Sequence, residues 1–366
     1  MTALDYLKSK ERRGDGRMIS GDLQKAAEVL VNVLLKTQKG ETFVITADTA
    51  VDASVIEVIG RAAFAAGAKP LVALIPTPGG VSLAADPDIQ VEGLSGMISK
   101  ADVWVELNVK WLLYSTPFYN AKKANPKLRH MCLTGTNADT LIRCVGKVNY
   151  PAMRRFSEIL RERIKEAHNV RMVSQDGDEI TFVNVPDRPV SCKLGDASVP
   201  GTHLFVGQIG WTPMLESVNG TISLDGSVAP DIGLIESPVK IEVKDGCIIS
   251  MSGGEEAKRY EMWLKSFGHP QMLRISHAGI GFHPGAKLIG DILLDQRVWG
   301  STTWGFGSIG AGMLPPEGVY APSHSDAVSL NTDIYLDEKP LWLHGTLIDE
   351  ELKELAGRLT CTQGKV

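Results

Sequence analysis

The sequence predicts an α/β protein in which an N-terminal domain with a parallel sheet is followed by a β-rich domain. Helical and strand-like patterns alternate over the first 168 residues. From residue 169 the chain changes to short strand-like pieces separated by Gly, Pro and Asp turns. A length of 366 residues also suits two domains of common size. We therefore predict an α/β domain at 1–168 and a β-rich domain at 169–366.

The N-terminal elements alternate in the order that a parallel sheet requires. DLQKAAEVLVNVLLKT has apolar residues at helical spacing, and ETFVITAD is a β-branched run. VDASVIEVIGRAAFAAG follows as a helix that Gly67 can close. KPLVALIP is a nearly continuous apolar run, typical of a strand covered on both faces. With the long amphipathic helix YPAMRRFSEILRERIKEAH, these segments predict a parallel sheet with right-handed crossovers.

Composition excludes several classes of protein. Hydrophobic residues make up 43% and charged residues 22% of the chain, as in a folded soluble protein, and no stretch suits a membrane helix. MTALDYLKSKERRGDG lacks an apolar core and a cleavage site, so we expect a cytoplasmic protein. The net charge of -5 is spread over interspersed charges, without the basic clusters that nucleic-acid binding requires.

The cysteines carry no motif. They lie at positions 132, 144, 192, 247 and 361, without a CxxC or comparable short spacing. This spacing argues against a zinc ribbon, an iron–sulfur site or a disulfide framework. We expect reduced, structural thiols.

The C-terminal half contains a group of side chains that could hold a metal. In SHSDAV, His324 and Asp326 are two residues apart, so in a strand they project to the same face. Upstream, His277 and His283 lie six residues apart in the glycine-rich ISHAGIGFH and would also share a face. Either histidine could complete a set of two His and one carboxylate, which suits a non-heme Fe(II) with open positions. The residues alone leave a second interpretation open, in which the carboxylate simply hydrogen-bonds the imidazole.

These segments resemble a known pattern. SHAGIGFHPGA, LLDQRVWGSTTWGFG and PSHSDAVSL are similar to the C-terminal motifs of the family 29 metallo-aminopeptidases of the aminopeptidase T type, whose fold also joins an α/β domain to a β-rich one. Several positions of this sequence depart from the metal-ligand pattern of that family. The family's bridging Glu falls on His277, its Asn before Pro on His283, its ligand His on Thr303 and an earlier Glu on Gln208. Neutral Gln and Thr are poor ligands for a divalent pair, so the two-metal hydrolytic site looks dismantled.

The altered set resembles the 2,5-dihydroxypyridine 5,6-dioxygenases of bacterial nicotinate breakdown. The resemblance implies a mononuclear Fe(II) on His277, His324 and Asp326 in the β-rich domain. By position, Thr303, Trp304 and Ser308 would line the substrate pocket. The implied reaction opens a hydroxylated N-heteroaromatic ring with O₂, and the implied assembly is a homo-oligomer.

Two further predictions complete this interpretation. A base is needed for a ring hydroxyl proton, and His203 in PGTHLFVG is the nearest upstream candidate, although it also fits a surface histidine at a strand end. We expect the remaining histidines, at positions 130, 168, 269 and 344, to be structural or exposed.

The alternative function is a hydrolase of an amide, peptide or cyclic imide that uses a single Zn²⁺ or Mn²⁺. A third possibility is a decayed site that only binds a ligand.

Overall fold

A computed structural model describes residues 20–230 and 232–360. The N-terminal stretch examined for a signal sequence and Cys361 therefore lie outside the described residues. The contacts divide the chain into two units. The first unit runs to Val148 and includes Gly195–Phe205, and the second contains Asn149–Leu194 and the chain from Val206 onward.

The first unit is built on a five-stranded parallel sheet with the order β2-β1-β3-β4-β8. Its strands are β1 (Thr42–Asp48), β2 (Lys69–Ile75), β3 (Val103–Glu106), β4 (Arg129–Cys132) and β8 (Gly201–His203). Its helices are α1 (Gly21–Glu28), α2 (Ala53–Ala65), α3 (Val91–Ile98), α4 (Thr116–Ala124) and α5 (Ala138–Leu141). Helix α2 begins after Asp52, whose carboxylate accepts a hydrogen bond from Ser54 N, and ends before Gly67, which has a φ of +84°.

The second unit contains two antiparallel sheets. The eight-stranded sheet has the order β14-β13-β10-β6-β5-β18-β19-β20, and the seven-stranded sheet has the order β12-β11-β17-β16-β15-β9-β7. The strands are β5 (Asn169–Val173), β6 (Glu179–Val183), β7 (Val190–Cys192), β9 (Gln208–Trp211), β10 (Asn219–Leu224), β11 (Ser227–Ala229), β12 (Gly233–Leu234), β13 (Val239–Lys244), β14 (Cys247–Ser252), β15 (Ile275–Gly281), β16 (Thr302–Ile309), β17 (Val319–Ser329), β18 (Asp333–Leu336), β19 (Lys339–Leu343) and β20 (Thr346–Leu347). The helices are α6 (Tyr150–Glu166), α7 (Glu255–Ser266), α8 (Ile292–Asp295) and α9 (Glu350–Ala356).

The predicted fold class, an α/β domain with a parallel sheet followed by a β-rich domain, is confirmed. The division into units differs from the boundary drawn at residue 168 in two places. Helix α6 belongs to the second unit, where Phe156 stacks on Phe282 with ring centroids 5.1 Å apart. Strand β8 returns to the first unit and pairs with β4. An amphipathic pattern shows that a helix has an apolar face, but not which sheet that face covers.

Two observations concern the disulfide framework and the membrane helix that the sequence argues against. Among the described residues, Cys132, Cys144, Cys192 and Cys247 form no disulfide bond. No helix in the described part of the chain has the length and apolar character needed to cross a bilayer.

Asp291, the partly buried N-cap of α8, gives the protein a pH-dependent stability. Burial raises the pKa of Asp291 to about 6, with the nearby Asp295 carboxylate adding to the shift and a hydrogen bond from Leu293 N opposing it. Because the folded pKa exceeds the unfolded one, stability falls as the pH rises from about 4 to about 6. We expect Asp291→Asn to remove this fall and to stabilise the protein at pH 7 by about 2 kcal/mol in chemical denaturation.

The cap of α9 supplies a control of opposite sign. Asp349 is partly buried, which opposes its charge, but hydrogen bonds from Leu352 N and the Arg163 guanidinium hold the pKa of its carboxyl below the usual value. Its contribution is present near neutral pH and is lost as the pH falls through the lowered pKa. Asp349→Asn should therefore destabilise the protein at pH 7, and a gain from both variants would contradict the assignment.

Candidate metal centre

The register of three neighbouring strands brings His277, His324 and Asp326 to one face of the seven-stranded sheet. Strand β16 lies between β15 and β17 and pairs antiparallel with both. Gly305 lies opposite His277 on one side and opposite Asp326 on the other. His324 lies opposite Gly307 on the same strand. Since directly opposed residues project to the same side of a sheet, all three side chains lie on the face of β16 that carries Gly305 and Gly307.

The glycine between the ligand candidates makes room for an imidazole. A Cβ atom at Gly305 would lie well inside 3.0 Å of Nδ1 and Cε1 of His277, a separation that real Cβ atoms do not show. The ring of His277 therefore occupies the space that any other residue at position 305 would fill. Close approach of this kind is a physical reason for a glycine inside a strand.

Both imidazoles converge on one carboxylate oxygen. Nε2 of His277 lies 3.2 Å from Oδ1 of Asp326, and Nε2 of His324 lies 3.3 Å from the same atom. The two rings are nearly parallel, with centroids 5.4 Å apart and an interplanar angle of 9°. One ligand atom from each of the three residues falls within 4.8 Å of the others. This is the separation expected of side chains that share one ion.

The tautomer of His324 calls for a cation at this point. Its Nδ1 lies 2.9 Å from the carbonyl oxygen of Ser308, which only accepts, so Nδ1 carries the hydrogen. A neutral His324 would then direct the lone pair of Nε2 at the Asp326 carboxylate. A proton or a metal ion removes this repulsion, and a metal ligand whose second nitrogen donates to a carbonyl is the usual arrangement.

The electrostatics of the cluster favour positive charge. Burial lowers the pKa of His324, but attraction to Asp326 and the hydrogen bonds to Asp326 and Ser308 outweigh it, so the pKa is raised. Burial likewise opposes ionisation of Asp326, yet the two imidazoles hold the pKa of its carboxyl well below the usual range. The site therefore keeps an ionised carboxylate, as a metal ligand must be.

Two buried polar atoms on this face lack hydrogen-bond partners. Nδ1 of His277 and Oγ1 of Thr303 are both unsatisfied, although the two residues are 8% and 0% exposed. Thr303 lies opposite Gly279 and Val328, so it shares the face of His277 and Asp326. Buried polar groups normally have partners, so each exception needs a physical explanation, such as a ligand or ion that completes the site. These atoms fit a site that a ligand completes.

The other predicted pocket residues lie in different surroundings. Trp304 alternates with Thr303, so its side chain projects to the opposite face, where it is 1% exposed and meets Phe182 edge to face at 6.1 Å. The prediction that Trp304 lines the pocket disagrees with this register. Ser308 lies at a register shift in β16, and its carbonyl oxygen, rather than its hydroxyl, contacts His324.

The remaining candidates do not join the cluster. His283 lies beyond the end of β15, is fully buried and accepts a hydrogen bond at Nδ1 from Gly285 N. Gln208 donates through its side chain to Gln296 Oε1. His203 lies in β8 of the first unit, with Nε2 at 2.8 Å from the carbonyl oxygen of Val199. Of the two upstream histidines, the structure thus brings His277 to His324 and Asp326.

A second group of ligand-type side chains lies in the core of the first unit. Glu106, His130 and Cys132 are buried with ligand atoms within 4.8 Å of one another. The carboxylate accepts hydrogen bonds from two backbone amides and from His130 Nε2 at 2.9 Å. The imidazole also stacks on Trp104 at 3.8 Å. Because the carboxylate and imidazole are already satisfied, this group is a structural hydrogen-bonded pair, as predicted for His130.

Sequence reasoning missed two contributors to the metal face. Gly305 and the Ser308 carbonyl both act through the backbone, so no side-chain motif reveals them. The signal for Gly305 was the alternation of glycines in WGFGS, which places Gly305 and Gly307 on one face of a strand. Ser308 gave no comparable signal.

A family model spans most of this architecture. The model described as NicX, 2,5-dihydroxypyridine 5,6-dioxygenase, matches residues 27–349. The chain belongs to the NicX family. The matched range contains His277, His324 and Asp326. The resemblance to this family drawn from the residues is therefore confirmed, while the wider resemblance to the aminopeptidases stays a prediction.

One sequence match and one structural match show how similar this chain is to a characterised member of the family. The 2,5-dihydroxypyridine 5,6-dioxygenase of Pseudomonas putida (strain KT2440) is 27% identical over 204 residues. That alignment covers 51% of this chain and 56% of the relative, so it spans little more than half of the curated protein. A solved structure of a 2,5-dihydroxypyridine dioxygenase from Pseudomonas putida KT2440 matches with a TM-score of 0.70 at 20% identity. It covers 90% of this chain and 98% of that one, which shows a common fold.

Proposed function

We propose that the protein is a ring-cleaving dioxygenase that opens a 2,5-dihydroxypyridine-like ring with O₂, using Fe(II) held by His277, His324 and Asp326. The observation that carries the proposal is the convergence of two imidazole Nε2 atoms on one carboxylate oxygen, where the tautomer of His324 requires a proton or a metal ion between Nε2 and the carboxylate. Two His and one carboxylate form the ligand set of non-heme Fe(II) oxygenases. The names of the relatives point to the same chemistry.

The bound ion and the chain would divide the work. Fe(II) held by His277, His324 and Asp326 would supply a path for electrons between an electron-rich ring and O₂. The chain holds the ligands in place: β15 and β17 carry them, and the Ser308 carbonyl fixes the plane of His324. Gly305 of β16 has no side chain, which leaves room for the imidazole of His277 beside Asp326. Such preorganisation lowers the entropic barrier to bringing the reactants together.

We propose His203 as the base that takes a ring hydroxyl proton. Its Nε2 lies 2.8 Å from the carbonyl oxygen of Val199, so in the neutral imidazole Nε2 carries the hydrogen, and an imidazole is the commonest general base in enzymes. The expected signature is a loss of kcat in His203→Gln with iron content unchanged. Apart from the catalytic base, we also propose that the protein is located in the cytoplasm and that it assembles as a homo-oligomer.

Thr303 would bind the substrate through its unsatisfied hydroxyl. Thr303→Val keeps the shape and removes the hydroxyl, so we expect KM to rise about tenfold, the equivalent of one hydrogen bond, with iron content unchanged. Thr37 is the matched control, because it is also buried with an unsatisfied Oγ1 but belongs to the first unit rather than to the sheet that carries the metal face. An equal change of KM in Thr37→Val would contradict the role of Thr303.

The decisive experiment separates oxygenation from hydrolysis. The protein is purified without oxygen, reconstituted with Fe(II), and mixed with 2,5-dihydroxypyridine. We expect no consumption until O₂ is admitted, and label from ¹⁸O₂ in the ring-opened product. Turnover without O₂, or label from water alone, would instead support the hydrolase with a single Zn²⁺ or Mn²⁺. A His324→Ala variant with unchanged metal content would support a decayed site.

A further inference from the structure

Strand β2 forms an uncovered edge of the parallel sheet in the first unit. It is the terminal strand of the order β2-β1-β3-β4-β8, and among residues 20–230 and 232–360 no strand pairs with its outer side. Its sequence, KPLVALI, contains a single charged residue, at its first position. Leu71 and Val72 are 48% and 47% exposed, although the apolar run predicts a strand covered on both faces. Long apolar edge strands invite pairing with another chain unless charges or bulges block them.

The backbone of β2 shows which groups are available at the outer side. Lys69 N donates to Glu41 O, so the amides of Lys69, Leu71, Ala73 and Ile75 point toward β1. The alternate residues, Pro70, Val72 and Leu74, direct their backbone groups outward. Proline, which has no N–H, therefore lies at a position where β1 needs no donor. The outer side keeps the N–H groups of Val72 and Leu74 and the carbonyl groups of all three residues.

These outward groups are complementary to a second copy of themselves. In an antiparallel arrangement centred on Val72, each Val72 N–H meets the Val72 carbonyl of the other copy. Each Leu74 N–H then meets the Pro70 carbonyl of the other copy, and the donor that proline lacks is the only one lost. A parallel arrangement in register would place Lys69 beside its own copy.

The side chains agree with the same register. Lys69 falls opposite Ile75 of the other copy, so no like charges meet across the axis. Val72 faces Val72, and Leu71 faces Ala73, pairs that suit a pleated surface. We propose that two copies of this chain associate through β2, antiparallel and centred on Val72, so that the parallel sheet continues across a two-fold axis. The occupant of the exposed edge is thus a second copy of the chain.

The test compares matched substitutions on two edge strands. Val72→Lys places a new ammonium group directly opposite its own copy, so we expect the mass in sedimentation velocity to fall to half that of the wild type. Ile249→Lys is the control, because Ile249 is 54% exposed on β14, the edge strand of the eight-stranded sheet. Val72→Pro gives a second route, since it removes an outward N–H without touching a bond to β1. Circular dichroism confirms that each variant is folded.

Crosslinking reports the contact directly. Val72→Cys treated with a short bismaleimide should give a covalent dimer on a denaturing gel, in excess over Ile249→Cys and the wild type. A monomeric wild type, an unchanged mass of both folded Val72 variants, or no excess crosslinking would overturn the proposal. Coverage of the edge by residues 1–19 of the same chain would instead give a monomer whose Val72 amide is protected from hydrogen exchange, and this also overturns it.

Discussion

Gly305→Ala is expected to weaken the proposed iron binding strongly while the protein still folds. The new methyl group would overlap the ring of His277, and the ring is the part that can move, since it ends a side chain. Rotation of His277 away from Asp326 removes one of three ligands, so we expect iron affinity and kcat to fall at least about a hundredfold. Iron stoichiometry by mass spectrometry and the thermal unfolding curve measure the two parts of this prediction.

Gly210→Ala is the matched control for this substitution. Gly210 lies on β9 opposite Gly279, on the same face of the sheet. A Cβ atom there would meet its nearest neighbours, the Ala278 carbonyl oxygen and the Met313 methyl group, at 3.5 and 3.8 Å, which are ordinary contacts. Gly210→Ala should therefore keep its iron. Full iron occupancy in Gly305→Ala would show that His277 is not a ligand.

Asp326→Asn is expected to remove iron with little change in shape. The carboxylate lies between two imidazoles, and its charge is what balances a cation there. A neutral amide is a weak ligand and offers an NH₂ group to one of the nitrogens, so iron affinity should fall at least about a hundredfold. Turnover should fall in parallel, because the substrate and O₂ lose their common site.

The control is an aspartate beside a histidine elsewhere in the same unit. Asp333 on β18 lies 3.6 Å from His344 Nδ1, and His344 is largely exposed. Asp333→Asn changes the same chemical group without touching the metal face, so its iron content and turnover should match the wild type. Iron retained by Asp326→Asn at wild-type affinity would contradict the ligand set.

The fold class was predictable because it depends on local pattern. Alternating helices and strands predict a parallel sheet, and the change to short strands near residue 169 predicts a β-rich region. The assignment of α6 and β8 to units was not predictable, since it depends on contacts between segments distant in sequence. The same limit applies to β2, whose apolar pattern indicates a covered strand but does not identify what covers it.

The part of the candidate site that depends on the two-residue repeat of a strand was predictable. The spacing of His324 and Asp326 gave their common face, because a strand repeats every two residues. His277 and His283 have the same parity, so only the end of β15 at Gly281 separates them. Thr303 and Trp304 have opposite parity, but the sequence does not tell which of the two faces the ligands. That choice depends on the register between strands, which distant pairings determine.

The contact between His324 and the Ser308 carbonyl has a consequence for how this site tolerates mutation. Every amino acid carries a carbonyl, so the orientation of the imidazole is insensitive to the identity of residue 308 as long as the strand keeps its irregular path. In a screen of all side chains at position 308 we expect many variants to keep the proposed activity, whereas a single inserted or deleted residue in β16 should abolish it. The contact therefore depends on the length and path of β16 rather than on the side chain at position 308.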